Sequence, residues 1–255
     1  METPHTSIAT STADTITVRG RDLIDDLVGH VSFTEMIYFQ LRGEMPTPTQ
    51  RGVLNAVMVC LMEHGLTPSS IATRMIYSSA PEALQAAVAG GLLGAGSVFL
   101  GSMEGTAKLL HDGVQLADDG GSTEEYCREV VAEHRAARRP LPGFGHHIHR
   151  PDDPRSARLL EVAHELGAQG PHARLLIQLA AEVDRQANRH LTINATGATG
   201  AVLADIGIPW QSVRGFALIA RCAGLVGHAA EEAETPSIRA IWAAADEAVP
   251  YEWSG

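Results

Sequence analysis

The chain has 255 residues and a formal charge of −11, and 45% of its residues are hydrophobic but only 5% aromatic. This length buries a substantial core as one large domain or two small ones, and the negative charge argues against nucleic acid as a partner. The three cysteines lack C-x-x-C spacing, and the N-terminus lacks a basic and then apolar signal pattern. A reduced, cytoplasmic protein is therefore expected.

The predicted elements are helices, because apolar residues recur at three- and four-residue spacing and no stretch alternates with period two. Residues 1–20 are rich in Thr and Ser and are expected to form a loose arm. Residues 83–103 carry no charge and are long enough for a bilayer, but their Ala and Gly favour a buried helix without membrane contact. Asp153 is the expected N-cap of a helix that Pro154 begins and Gly167 ends. We predict an all-α chain with about nine to eleven helices.

The segment RRPLPGFGHHIHRPDDPRSARLL concentrates histidines and arginines in a proline-stiffened turn. One interpretation is an ordered turn between helices with solvated histidines. A second is a metal site, but His146, His147 and His149 lack the regular spacing and accompanying carboxylates of helix-borne sites, so no metal is expected.

A third interpretation of this segment is an anion site. Gly143 and Gly145 let a ligand approach the backbone, since neither carries a Cβ. Arg150 and Arg155 then supply charge for phosphate or carboxylate groups, and the start of a helix at Arg155 adds positive potential. This interpretation accounts for the whole string and predicts a substrate that bears phosphate and carboxylate groups.

The same string resembles the Pro-Gly-aromatic-Gly-His and Asp-Pro-Arg signature of the citrate synthase superfamily, with nine residues from His146 to Arg155. The resemblance implies that His146 donates a hydrogen bond to a ketone or citryl hydroxyl oxygen and that Arg155 binds a carboxylate. It also implies a set of residues that hold coenzyme A, namely Pro142, Gly143, Phe144, Gly145 and Arg150.

Two further patches follow in the family's order. MVCLMEHGLTPSS places His64 at a histidine that binds the oxaloacetate or citrate moiety, and ALIARCAGLVGH places Arg221 at an arginine that binds a carboxylate. The residues alone also fit a helix-end cation for His64 and a structural ion pair for Arg221.

Two positions depart from the pattern of citrate synthases. Their G-P-x-H-G-G-A motif carries a histidine where Phe99 stands, and Phe99 is similar to the G-D-R-F-G-G-A of the citryl-CoA-cleaving branch, which includes citryl-CoA lyase and the C-terminal module of ATP-citrate lyase. The family's N-V-D aspartate is replaced by Thr196, in the run Asn194-Ala195-Thr196. A threonine hydroxyl is no base near neutral pH, so Thr196 is either a catalytic hydroxyl or a structural one.

The resemblance implies a carbon–carbon lyase that cleaves or forms a citryl-CoA-type thioester, with acetyl-CoA and an α-keto acid such as oxaloacetate as the other side of the reaction. A diverged acyl-CoA thioester hydrolase and a non-catalytic CoA-metabolite binding homologue are the alternatives, because of Thr196. The expected catalytic residues are His64, His146 and Thr196, and the expected substrate-binding residues are Arg155, Arg221 and Asn194.

The family's architecture implies a large helical domain, residues 1–100 and 211–255, and a small helical domain, residues 101–210, with the active site in the cleft. Members are two-fold dimers, so a homodimer is expected, and Arg239 is a candidate for a residue contributed across its interface. The expected partners are small-molecule acyl-CoA and di- or tricarboxylates, with no nucleic acid, no membrane and no metal.

Overall fold

The computed structural model describes residues 3–253, and most of them are helical, as the sequence predicts. Within these residues eleven α-helices follow one another: α1 (Phe33–Arg42), α2 (Pro48–Met62), α3 (Pro68–Ser79), α4 (Leu84–Leu93), α5 (Ser102–Asp118), α6 (Thr123–Ala136), α7 (Pro154–Glu165), α8 (Pro171–Ala187), α9 (Ala195–Asp205), α10 (Val213–Glu234) and α11 (Ile238–Ala248). A π-helical turn, Leu23–Leu27, precedes α1, and a 3-10 turn, Trp210–Ser212, precedes α10. The prediction of an all-α fold is confirmed.

The expected loose arm at the N-terminus is wrong from Ala9 onward. Strands β1 (Ala9–Ser11), β2 (Ile16–Val18) and β3 (Arg21–Asp22) form a small antiparallel sheet in the order β1-β2-β3. β-Branched residues fill β2, and its Val18 is buried with Leu27 and Phe39, so strand propensity and burial act together. Met1 and Glu2, where the predicted arm starts, lie outside the described residues.

The uncharged segment 83–103 is helical in α4 up to Leu93 and again from Ser102, where α5 begins, so the prediction of one buried helix is only partly correct. Gly91 packs α4 closely against α3, since a Cβ there would lie 2.7 Å from the carbonyl oxygen of Ser69. Glycine-rich turns then occupy residues 94–101 before α5 begins. In the described part of the chain, no helix is long and apolar enough to cross a membrane.

Two clusters of buried side chains hold the helices together. The first joins α2, α7, α9 and α10, with Leu54, Leu203 and Phe216 fully buried. The second joins α5, α6 and α8, with Leu110 and Leu176 fully buried. Helix α9 contributes Ala198, Val202 and Leu203 to the first cluster and Ala201 to the second, and it therefore lies where they meet. The division into residues 1–100 with 211–255 and residues 101–210 stays a prediction.

The predicted caps of α7 are observed. Asp153 is the N-cap and accepts a hydrogen bond from the backbone N–H of Arg155, Pro154 is the first helical residue, and Gly167 adopts a φ of +67° just beyond the end. These residues place Arg155 in the first turn of the helix, with its side chain directed back toward the loop that precedes α7.

Candidate active site

Seven of the residues predicted for the site line one cavity of about 400 Å³. They come from the end of α2, the loop before α7, the first turns of α7 and α9, and the middle of α10: His64, Gly145, His146, Arg155, Asn194, Thr196 and Arg221. Phe99 and Ser102 complete the wall on the side of α5. Side chains up to 157 positions apart in the sequence thus face a single space.

Four of the residues predicted to hold coenzyme A do not line this cavity: Pro142, Gly143, Phe144 and Arg150. The close approach at Gly143 is made by the protein itself, because a Cβ there would lie 3.0 Å from the Cα of Gly197 in α9. The carbonyl oxygen of Gly143 accepts the backbone N–H of Asn194 at 3.0 Å. Gly143 therefore locks the loop onto α9, whereas Gly145, with open space around it, faces the cavity.

The guanidinium of Arg155 is held in place by a buried carboxylate. Asp153 accepts hydrogen bonds from Nε and Nη2 of Arg155, at 3.0 and 2.8 Å, and from the backbone N–H of Ala195 at 3.0 Å. Burial alone would raise the pKa of Asp153, but its bonds with Arg155 lower the pKa overall, so the carboxylate stays charged. One residue thereby joins the loop, α7 and the start of α9, and aims Arg155 at the cavity.

His146 is fixed in orientation by its own loop. Its Nδ1 accepts the backbone N–H groups of Ile148 and His149 at 3.1 and 2.9 Å, so the neutral ring carries its hydrogen on Nε2. Nη2 of Arg155 lies 3.3 Å from that Nε2, and two donors therefore face each other. An oxygen placed between them would accept both hydrogen bonds, which is the arrangement an oxyanion needs.

Burial and the neighbouring His149 lower the pKa of His146 to about 4. Because the unfolded pKa is near 6.5, the folded state gains stability above about pH 6.5 and loses it as the pH falls through about 4. We expect the melting temperature of the protein to fall between these values. Replacing His146 with Asn, which keeps an acceptor at the Nδ1 position, should flatten this part of the profile in thermal denaturation measured from pH 4 to 7. An unchanged profile would contradict the assignment.

His64 is positioned through the backbone of its turn. The carboxylate of Glu63 accepts the N–H groups of His64 and Gly65 at 2.7 and 2.9 Å. Nε of Arg74 donates to Nδ1 of His228 at 2.9 Å, and Nε2 of His228 lies 3.0 Å from Glu63. Although burial opposes it, these bonds lower the pKa of Glu63. A polar chain thus connects α3 and α10 to the turn that presents His64.

Replacing Glu63 with Gln should weaken the binding of a carboxylate anion in this cavity about tenfold, because the neutral amide holds the His64 turn less firmly than a carboxylate does. Calorimetric titration with a tricarboxylate probe measures the effect. Replacing Glu82, an exposed carboxylate before α4, with Gln is the matched control and should leave binding unchanged. Equal affinities for the two variants would show that Glu63 does not position the site.

Three imidazoles, those of His64, His146 and His149, converge so that one nitrogen from each lies within 4.8 Å of the others. Such a cluster is the kind that binds zinc. However, Nδ1 of His146 is occupied by two N–H donors, and its Nε2 faces the guanidinium of Arg155. The fixed positive charge of Arg155 beside the imidazoles favours an anion over a cation.

The side chain of Arg221 is almost fully buried, and its hydrogen bonds are long. Its Nη1 donates to the hydroxyl of Thr67 and its Nη2 to the carbonyl of Leu61, both at 3.3 Å, while its Nε has no partner among the described residues. Burial lowers the pKa of Arg221, although the nearby Glu63 opposes this. A buried cation with two long hydrogen bonds has capacity for an anion in the cavity.

Sequence reasoning did not single out Ser102, Glu63 or the carboxylate role of Asp153 toward Arg155. Ser102 has no motif of its own and is found only because it shares the cavity with Thr196. Among the described residues that line the cavity, none is an aspartate or a glutamate. The wall formed by these residues therefore offers two arginines, imidazoles, hydroxyls and the thiol of Cys60, and no carboxylate base.

Known proteins share this chain's sequence and fold. Residues 41–241 match the family Citrate synthase, C-terminal domain. The citryl-CoA lyase of Hydrogenobacter thermophilus is 33% identical, with a TM-score of 0.85 over 100% of this chain and 95% of that one. The ATP citrate lyase of Methanosaeta concilii, solved with (3S)-citryl-CoA, is 20% identical and has a TM-score of 0.75 over 100% of this chain and 43% of that one.

A citrate synthase-like protein of Phoma sp. is 26% identical over 81% of this chain and 44% of its own length. The chain thus spans less than half of this curated relative. With the fold, the loop signature and the match over residues 41–241 in agreement, the chain belongs to the citrate synthase family.

Proposed function

We propose that the protein is a carbon–carbon lyase that cleaves a citryl-CoA-type thioester into acetyl-CoA and an α-keto acid such as oxaloacetate, or catalyses the reverse reaction. The observation that carries the proposal is the pair of arginines, Arg155 and Arg221, that line one cavity together with His146, whose Nε2 lies 3.3 Å from Nη2 of Arg155. A citryl group offers carboxylates for the arginines and a tertiary oxygen for the imidazole. The citryl-CoA lyase from Hydrogenobacter thermophilus supports the same substrate class.

In this proposal the tertiary hydroxyl oxygen lies between Nε2 of His146 and Nη2 of Arg155. Cleavage releases the proton of that hydroxyl and turns its C–O bond into a carbonyl, while the electron pair of the broken C–C bond passes to the carbon next to the thioester, which takes up a proton. Negative charge that develops on the oxygen is stabilised by two donors already in place. His64 and Arg221 hold a carboxylate of the departing keto acid by charge-assisted bonds.

The proposal also covers coenzyme A binding, the division into two domains and the assembly of the protein. The loop from Pro142 to Gly145, with Arg150, binds coenzyme A beside the cavity, and residues 1–100 with 211–255 and residues 101–210 form the two domains around it. The active species is a homodimer in the cytoplasm, to which Arg239 contributes a cross-subunit cation. Supporting the dimer, Val59, Leu93 and Val98 are 74%, 87% and 81% exposed. A mass measurement in solution tests this assembly.

One observation favours a second function. Because Thr196 replaces a carboxylate and no acidic side chain among the described residues lines the cavity, the site is also suited to thioester hydrolysis or to binding without turnover. The side chain of Asn194 is poorly suited to hold a water for hydrolysis. Its amide oxygen already accepts from Thr196 and Gly197, and its amide nitrogen donates to Gly145.

Incubation with citryl-CoA, followed by mass spectrometry of the products, separates these functions. The lyase gives acetyl-CoA and oxaloacetate in equal amounts, a hydrolase gives free coenzyme A and citrate, and a binding protein gives neither. Replacing His146 with Asn is the matched control, because the loop keeps its acceptor while the Nε2–H is lost. Its keto-acid production should fall about 10²- to 10³-fold. Free coenzyme A without keto acid would overturn the lyase proposal.

A further inference from the structure

Three polar side chains form a continuous hydrogen-bonded chain along the wall of the cavity. The hydroxyls of Ser102 and Thr196 lie 2.8 Å apart, and Thr196 lies 2.6 Å from the amide oxygen of Asn194. Ser102 is the first residue of α5, and Thr196 lies in the first turn of α9. Where the G-D-R-F-G-G-A motif has alanine, Ser102 thus supplies a second hydroxyl beside the one that replaces the aspartate.

The direction of these hydrogen bonds follows from Asn194. Its amide oxygen accepts the backbone N–H of Gly197 at 3.0 Å, and its amide nitrogen donates to the carbonyl of Gly145 at 2.9 Å. Thr196 must therefore donate its single hydrogen to Asn194, because an amide oxygen cannot donate. The oxygen of Thr196 then accepts from Ser102, so that the hydrogen of Ser102 is used as well.

The result is a neutral wall that presents an acceptor to the cavity. The oxygen of Ser102 keeps lone pairs for a donor, whereas neither hydroxyl has a free hydrogen to offer. A hydroxyl of this kind cannot remove or store a proton near neutral pH, but it can orient a water molecule. Because the water donates one hydrogen to Ser102, its other hydrogen and its own lone pair remain free for the substrate.

We propose that Ser102 is a positioning residue that holds one water in the cavity, and that this water moves the proton of the cleavage reaction in place of a carboxylate. The inference rests on the proposed lyase function. The water accepts the hydrogen of the tertiary hydroxyl as that group becomes a carbonyl. It donates its own hydrogen to the carbon that receives the electron pair of the broken C–C bond. The water is regenerated, so no proton is gained or lost.

A double-mutant cycle between Ser102 and Thr196 tests the relay. Replacing Ser102 with Ala should lower kcat for citryl-CoA cleavage about 10- to 100-fold and leave KM within about twofold, since the variant still binds substrate but no longer orients the water. Replacing Thr196 with Asp should raise kcat, because the carboxylate moves the proton directly. In the Thr196→Asp background, Ser102→Ala should change kcat by less than about threefold.

Thr199, a fully buried threonine one turn further along α9, provides the matched control. Replacing it with Val should leave kcat and KM within about twofold, and thermal melts with citrate titrations verify the folding of every variant. Suppose that wild type forms both products. If Ser102→Ala then has the same kcat as wild type, or lowers kcat by the same factor in the wild-type and Thr196→Asp backgrounds, the relay is wrong and the lyase function stands. If wild type forms no product, the lyase function and the relay both fail.

Discussion

Replacing Arg221 with Met should weaken citrate binding and reduce kcat/KM for citryl-CoA about 10²- to 10³-fold, because a buried guanidinium bound to a carboxylate loses its charge and its forked donors. The stability of the unliganded protein should change by less than about 1 kcal/mol. In that state the charge is desolvated, and the described part of the chain gives it two long hydrogen bonds of 3.3 Å, so its removal costs little. Calorimetry and thermal denaturation measure the two effects.

The comparison of binding with stability separates the two interpretations of Arg221. A structural ion pair would cost about 3–5 kcal/mol of unfolding free energy when one partner is removed. Replacing Arg221 with Lys is the matched control, because lysine keeps the positive charge but lacks the paired N–H donors of a guanidinium. The citrate affinity of this variant should lie between those of wild type and the Met variant. A large loss of stability with unchanged citrate affinity would assign Arg221 to the core rather than the site.

Replacing Asp153 with Asn should lower the unfolding free energy by about 3–5 kcal/mol and the melting temperature by roughly 6–20 °C. Asp153 is buried and is the partner of Arg155, the N-cap of α7 and the acceptor for the N–H of Ala195. The side chain of Asn can still cap α7 through its oxygen. Its NH2 group, however, would face N–H donors of Arg155 or Ala195 that the carboxylate accepts. An uncompensated Arg155 then remains beside His146.

Asp152, the neighbouring carboxylate, is the matched control for Asp153. It is exposed, and among residues 3–253 its carboxylate pairs only with the half-exposed ring of His190, at 3.0 Å. An Asp152→Asn variant should therefore lose less than about 1 kcal/mol. Similar melting temperatures for the two variants would show that Asp153 does not hold the loop, α7 and α9 together.

The sequence predicts the helices and the convergence of the site because both depend on local or strongly patterned signals. The cap formed by Asp153, Pro154 and Gly167 needs only neighbouring residues. His146 and Arg155 belong to one specific sequence motif. The segments around His64 and Arg221 occur in the family's order and extend the resemblance along the chain. These features follow from residue type and spacing, and the structure brings the four side chains to one cavity.

Other features depend on contacts between residues that are far apart in the sequence, and no local sequence pattern predicts these contacts. The glycines after Leu93 end α4 early, although composition favours a longer helix. Gly143 has the signature of a ligand-binding glycine, yet its close contact is with Gly197 of α9. Ser102 becomes significant only when its hydroxyl is found 2.8 Å from that of Thr196. Positions separated in sequence by 54 and 94 residues have to be seen together before these roles appear.

The two departures from the citrate synthase pattern have different consequences for the cavity. Phe99 places an aromatic ring on the wall, whereas Thr196 joins Ser102 and Asn194 in a neutral hydrogen-bonded chain. The wall keeps its capacity to bind anions because that capacity resides in Arg155, Arg221 and the imidazoles. Binding and proton transfer are therefore assigned to different side chains, and the variants proposed above change them separately.

A crystal structure of the protein with citrate and coenzyme A tests the assignment of the anion site most directly. We expect the tertiary oxygen of citrate between Nε2 of His146 and Nη2 of Arg155, one carboxylate on the remaining donors of Arg155, and a second carboxylate on the guanidinium of Arg221. Citrate bound outside this cavity, or bound inside it without contact to either arginine, would contradict the assignment.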